Sequence, residues 1–371
     1  MIGRPRCRSQ RGEALIAAVT RTTNPGARPR TGVLDSDGPK PESPPQRPVP
    51  HLPLPPLQRR RVRALGALGL WTLAAGLPSW AADGQPMVVV YPDIGEPFRS
   101  VFASIVDGIR EQARQAVPGF PVGAETSMPG LVDELRKRDV RVVIALGRSG
   151  LKVAEALDRS VGVVAGCVLA VPEAQAQAFT VHSLAPDPAL IFAQLRRMLP
   201  TARRVWAVHD PQQNAWLMRL AQEAAKPLGL ELVAQEAGDL QRATKAYQDI
   251  VAAAEPQRDV LWLPQDSTTV EEATLVPLVL QEAWRRKFAV ISSNAQHVRR
   301  GALFALYPDN AAMGRSLAQS AFDTLASAKR PTRGLLPLRD VLVAANQRTA
   351  AHLGLEFDPR DQRIAKLYPE S

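Results

Sequence analysis

Cysteine and aromatic residues are scarce in this chain of 371 residues, with two cysteines and Phe, Trp and Tyr together at 5%. Two cysteines exclude a disulfide framework. Cys167, in the strand-like run VGVVAGCVLA, reads as a small buried hydrophobe. The chain also lacks an uninterrupted apolar run of about 20 residues, the length a membrane span needs. Its longest uncharged stretch, Ala64–Ala82, is broken by Pro78 and three glycines. Signature motifs of catalysis are missing too. There is no P-loop, no H-E-x-x-H pair and no Gly-rich dinucleotide fingerprint after MVVVYP, and GRSGL at Gly147–Leu151 is not a G-x-S-x-G elbow. His182, His209, His297 and His352 are dispersed, and the pair Glu271-Glu272 reads as a solvated helix face. No catalytic residue, metal ligand or cofactor is expected from these patterns.

Charge is present in excess but unevenly. The formal net charge is +10, of which residues 1–82 supply +9 and the remaining 289 residues only +1. The basic character therefore belongs to the leader, and a nucleic-acid role for the rest is excluded. Residues 1–58 are Pro/Arg-rich without apolar periodicity and are expected to be disordered. An over-extended start of translation, with the true start nearer Leu57 or Val62, accounts for them; a functional extension is the alternative. Residues 59–81 read as a signal peptide: basic residues Arg59–Arg61 and Arg63, an uncharged run Ala64–Leu77, then Ser79-Trp80-Ala81 with cleavage after Ala81. No cysteine lies near that point, so a soluble periplasmic protein without a lipid anchor is expected.

From Met87 onward, short apolar runs alternate with amphipathic segments. MVVVYP is apolar throughout, as a strand covered on both faces must be. The segment after it places Phe98, Val101, Phe102, Ile105 and Ile109 at helical spacing. Strands at FPVGAET, VRVVIALG, VGVVAGCVLA and AFTVHSL complete a first set. A second begins near Pro186 with RRVWAVHD, LELVAQEA, DVLWLP and FAVISS. Repeated βα units in two similar sets predict an α/β protein of two doubly wound parallel-sheet lobes around a cleft.

Ligands of open α/β sheets sit beyond the carboxyl ends of the strands, and polar loops recur at those positions. Tyr91 and Asp93 leave the first strand. Gly147, Arg148 and Ser149 open a helix after the third, suited to an anion, or to an ordinary turn with Ser149 as N-cap. Asp210 and Asn214, then Asp266 and Ser267, then Ser292, Ser293 and Asn294 follow strands of the second set. Asp266 or Ser267 also suits a capping role. Tyr91, Trp262 and Tyr307 supply aromatic rings near strand ends, whereas Trp206 and Trp216 read as core.

The segment FAVISSNAQHVRRGALFALYPDNAAMGRSLAQSAFDTLASAKRP resembles the ABC-transporter substrate-binding family that includes tryptophan and tyrosine uptake proteins. Its marks are a strand, a polar loop, a basic pair before Gly-Ala, and Gly-Arg inside the next helix. RRVWAVHDPQQNA, DVLWLPQDSTTVEEA and VVIALGRSGLKVAEAL are similar to other parts of that family, so the resemblance spans roughly residues 87–360. It implies a type I periplasmic-binding-protein fold with three crossings between lobes, near Leu184–Pro186, Leu303–Tyr307 and Arg330–Leu336. Lobe 1 would comprise residues 87–184 and 306–330, and lobe 2 residues 185–305 and 331–371. The implied function is capture of a small solute, an amino acid or related small anion, by a monomer that delivers it to an inner-membrane ABC permease. A ligand sensor for a membrane receptor or kinase, and an α/β cleft enzyme, are the alternatives.

Overall fold

The computed structural model describes residues 86–169, 171, 176–326, 333–356, 361 and 363–369. The expected leader and signal peptide lie outside these residues. In chain order the elements are β1 (Met87–Pro92), α1 (Phe98–Ala113), β2 (Gly119–Val122), α2 (Met128–Lys137), β3 (Val142–Leu146), α3 (Gly147–Ala156), β4 (Gly162–Val168) and β5 (Thr180–Pro186). Then follow α4 (Pro188–Met198), β6 (Arg204–His209), α5 (Pro211–Ala225), β7 (Glu231–Glu236), α6 (Leu240–Ala253), β8 (Asp259–Leu263), α7 (Leu275–Arg286), β9 (Ala289–Ser292), α8 (Ala295–Arg300) and β10 (Phe304–Pro308). The chain ends with α9 (Asn310–Ala326), β11 (Gly334–Leu338), β12 (Val341–Asn346), α10 (Gln347–His352) and β13 (Ile364–Tyr368).

Two sheets result. The first, in the order β11-β5-β4-β3-β1-β2, is parallel throughout. The second, β13-β12-β10-β9-β8-β6-β7, is parallel except where β12 runs against β10. The apolar run of β1 has the expected cause. Met87 and Val89 join a cluster with Ile105, Ile109, Met313 and Leu317 of α1 and α9. Val88 and Val90 join Leu131, Leu135 and Val153 of α2 and α3 on the opposite face. Fully burying each such side chain is worth about 1.5–3 kcal/mol. The second sheet is likewise covered on both faces, by α4 and α5 on one side and α6 and α7 on the other.

α1 and α9 meet backbone to backbone. A Cβ on Gly108 would lie 2.1 Å from the carbonyl oxygen of Ala311, and one on Gly314 2.1 Å from that of Ile105. Glycine is therefore required at both positions for the two helices to approach this closely.

The chain passes between the sheets after β5, after β10 and after β11. One expectation is corrected here. Residues 334–338 pair with β5 and belong to the first sheet, so the third passage falls at Arg339-Asp340 and not near Arg330–Leu336. The strand GLLPL is short, holds a proline and lies at an edge, where pairing on one side suffices. The three passages are bonded to one another. The amide of Asp187 donates to Leu338 O at 2.8 Å, that of Asp309 donates to Asp340 O at 2.9 Å, and Arg339 pairs with Asp187 at 2.9 Å.

Candidate functional site

All three passages leave from the C-terminal ends of their strands, so the C-terminal edges of the two sheets are the edges nearest the connections between lobes. The loops singled out in the sequence lie on these edges, but their side chains are not equally free.

In the second lobe Asp210, Asn214 and Asp266 form a closed brace. Asp210 caps α5 by accepting from Gln212 N at 2.9 Å, and its other oxygen accepts from Thr268 Oγ1 at 2.8 Å and Gln213 Nε2 at 3.1 Å. Asp266 Oδ2 accepts from Asp210 N at 2.7 Å and Asn214 Nδ2 at 2.9 Å, while Oδ1 accepts from the amides of Thr268 and Thr269. All three residues are buried, Asn214 to 2% exposure. Burial works to raise the carboxyl of Asp210, but the Gln212 amide, the Thr268 hydroxyl and the Gln213 amide outweigh it and hold the group below its ordinary range. These are positioning groups that tie the β6 loop to the β8 loop. Ser267 is exposed, and its hydroxyl donates to Gln213 Oε1 at 3.0 Å. Sequence reading missed Gln213, which links the two loops.

Ser292 and Ser293 are likewise interior, at 0% and 1% exposure. Ser293 Oγ accepts from Trp262 Nε1 at 3.1 Å. Trp262 is itself fully buried and meets Phe192 edge to face, so this ring near a strand end belongs to the core, a correction to its grouping with Tyr91 and Tyr307. Ser292 Oγ lies 2.7 Å from His297 Nδ1, and His297 Nε2 lies 2.8 Å from Glu272 Oε1. This Ser–His–Glu chain has the composition of a hydrolytic triad, yet Ser292 and His297 are sealed from solvent and offer no nucleophile to a substrate. Glu272 also accepts from Asn294 and Arg300. Its carboxyl, which burial alone would raise, is held below the ordinary range by His297 and Arg300. Glu271 accepts from the amides of Ala273, Thr274 and Leu275 at the start of α7. The Glu271-Glu272 pair is therefore not a solvated face. Asn294, half-buried, caps α8.

In the first lobe the rim is more open. Asp93 and Arg148 are exposed, and so are Ile94 and Phe98 of the β1–α1 segment, at 37% and 39%. Gly147 has φ of +65°, a left-handed turn that starts α3 directly from β3. Leu146 is the N-cap and no side chain caps the helix, so Ser149 does not serve as the cap. Tyr91 lies over Gly119 of the neighbouring strand. Tyr307 packs into the second lobe, and burial raises its phenol despite the nearby Lys366. Cys167 is half-buried and not the fully buried side chain expected, and burial pushes its thiol up to about 12. His209 is buried, at 4% exposure, and its Nδ1 has no hydrogen-bond partner.

Two parallel sheets joined by three adjacent passages, with polar loops on the connected edges, define a type I periplasmic-binding-protein fold. Residues 191–333 match the family model described as ABC transporter substrate binding protein. A ligand-free, open substrate binding protein with adhesive properties from Clostridium difficile shares the fold, with a TM-score of 0.55, 15% identity and coverage of 76% of this chain and 98% of that one. An ABC domain in complex with L-Trp from Streptococcus pneumonia aligns at TM-score 0.49 and 12% identity, covering 77% and 100% of the two chains. A conserved domain protein from Vibrio cholerae aligns at 0.48 and 17%, covering 76% and 99%. No curated protein matches the sequence significantly.

Proposed function

We propose that this protein is the periplasmic solute-binding component of an ABC importer, acting as a monomer that takes up a small solute between its lobes and presents it to a membrane permease. The observation that carries this reading is the family match over residues 191–333, a segment that includes the second-lobe rim loops. The family match favours it over a sensor or a cleft enzyme. The mature chain begins after Ala81 in this reading, and no helix among the described residues is long and apolar enough to cross a membrane. Work is done by differential binding to a closed state and not by covalent chemistry.

The groups exposed at the rim are Asp93, Arg148 and the apolar side chains of Ile94 and Phe98, with Ser267 exposed but bonded to Gln213. They suit a small solute with an anionic group and an apolar portion, an amino acid among them. Calorimetry of the protein against amino acids and small organic anions tests the reading. A cognate solute at about 100 times its Kd stabilises by about 2.7 kcal/mol, and Arg148→Ala is expected to weaken an anionic solute tenfold or more. Failure of every solute to bind or to raise Tm would overturn the proposal.

A further inference from the structure

A cavity of about 1030 Å³ opens on the flank of the second lobe, between α7, α8, α10 and the end of β13. Its floor is built. Asn346 Nδ2 donates to Val298 O at 2.8 Å and Thr349 Oγ1 to Gly301 O at 3.0 Å, so α10 is fastened onto the end of α8. Trp284 forms one wall. Its ring is stacked on His352 at 3.7 Å, and His352 Nε2 lies 2.8 Å from Trp284 O, yet the residue as a whole remains 36% exposed. Arg348 sits over the same ring at 5.5 Å.

The lining carries Arg299, Arg300 and Arg348 against a single carboxylate, Glu272, which leaves two positive charges. Glu272 is committed to Arg300 at 2.9 Å and to His297. Among the described residues neither Arg299 nor Arg348 has a carboxylate partner. A phosphomonoester at neutral pH bears close to two negative charges and three acceptor oxygens, which complements two guanidinium groups that have no carboxylate partner among the described residues. The volume exceeds what the anion alone needs and lies near the upper end of small-molecule sites, about 300–1,000 Å³.

We propose that this cavity is a second site, distinct from the cleft, for an organic phosphomonoester. Arg299 and Arg348 hold the phosphate, and its organic part lies against Trp284 and Leu280. The ligand is either a soluble phosphate ester or the headgroup of a lipid ending in a phosphomonoester.

Phenyl phosphate, followed by calorimetry, is the soluble probe. Vesicles of phosphatidylcholine with and without phosphatidic acid, followed by flotation, are the lipid probe. Binding in either arm is expected to weaken as salt is added, and to fall at least tenfold in the Arg299→Ala, Arg348→Ala double variant with Tm unchanged. Phenyl phosphate is expected to bind more tightly than inorganic phosphate, and Trp284→Leu to remove that preference. No binding in either arm, or full binding by the double variant, overturns the proposal. So does loss of phenyl phosphate binding in Arg148→Ala, because the probe would then occupy the cleft.

Discussion

Asp266 concentrates more of the second-lobe rim than any neighbour, since four donors from three loop positions and α5 converge on its two oxygens. Asp266→Ala leaves those buried donors unsatisfied, at about 1–3 kcal/mol for an orphaned group. Urea denaturation is expected to show a loss of about 2–4 kcal/mol, with weaker solute binding because the β6 and β8 loops separate. The titrating groups predict a pH profile with two stages. Burial pushes His182 and His209 below their ordinary values, against partial opposition from neighbouring carboxylates. The unfolded chain therefore takes up protons first, near pH 6.5. The stability these histidines contribute is complete above that pH and is lost as pH falls through their folded values. Asp210 and Glu272 have depressed values, so their contribution is held above about pH 4 and lost as pH falls further. Tm measured from pH 7 downward should decline in these two stages, and His209→Gln should shrink only the first.

At the level of elements, the seam between α1 and α9 gives a sign that propensity alone would invert. Alanine is favoured over glycine in a helix by about 1 kcal/mol, but at Gly108 or Gly314 its Cβ would overlap a backbone carbonyl. Gly108→Ala and Gly314→Ala are each expected to destabilise by about 1–3 kcal/mol or more in chemical denaturation. Gly238→Ala, where nothing lies within 4 Å, should be near neutral. The strands β1, β3, β8 and β9 were legible because each is covered on two faces and so reads as an apolar run. β11 was not, because its identity rests on an edge pairing with β5, whose residues are some 150 positions earlier. The rim was legible in its positions, since a parallel strand followed by polar residues marks a C-terminal edge. Its saturation was not legible. Whether Asp210 is free depends on Thr268, 58 residues away, and Trp262 was misread because a strand end and a buried strand interior share one local sequence.

For the whole molecule, the passages between lobes behave as one bundle. Asp187 caps α4, accepts from Arg339, and through its amide holds Leu338. Asp187→Ala removes the cap and the ion pair together and is expected to cost about 1–2 kcal/mol, measured by urea denaturation. Small-angle scattering with and without solute should show a broader range of lobe separations in this variant, since only the backbone bond from residue 187 to Leu338 O then ties the first and third passages.

The placement of α9 and β11 has a consequence for folding order. The first lobe is begun at Met87, yet Met313, Leu317, Ala318, Ala321 and Leu338 of its main core cluster arrive only after β6 to β10 of the second lobe have been made. Closing such a long loop before the contacts reward it is slow. The lobe begun first thus waits for most of the second before its own core can close. Its sheet face toward α9 stays uncovered through most of chain entry, a period in which a chaperone or a holding partner has an apolar surface to grip. Pulse-labelling hydrogen exchange during refolding should find the amides of β1 and β3 protected no earlier than those of α9.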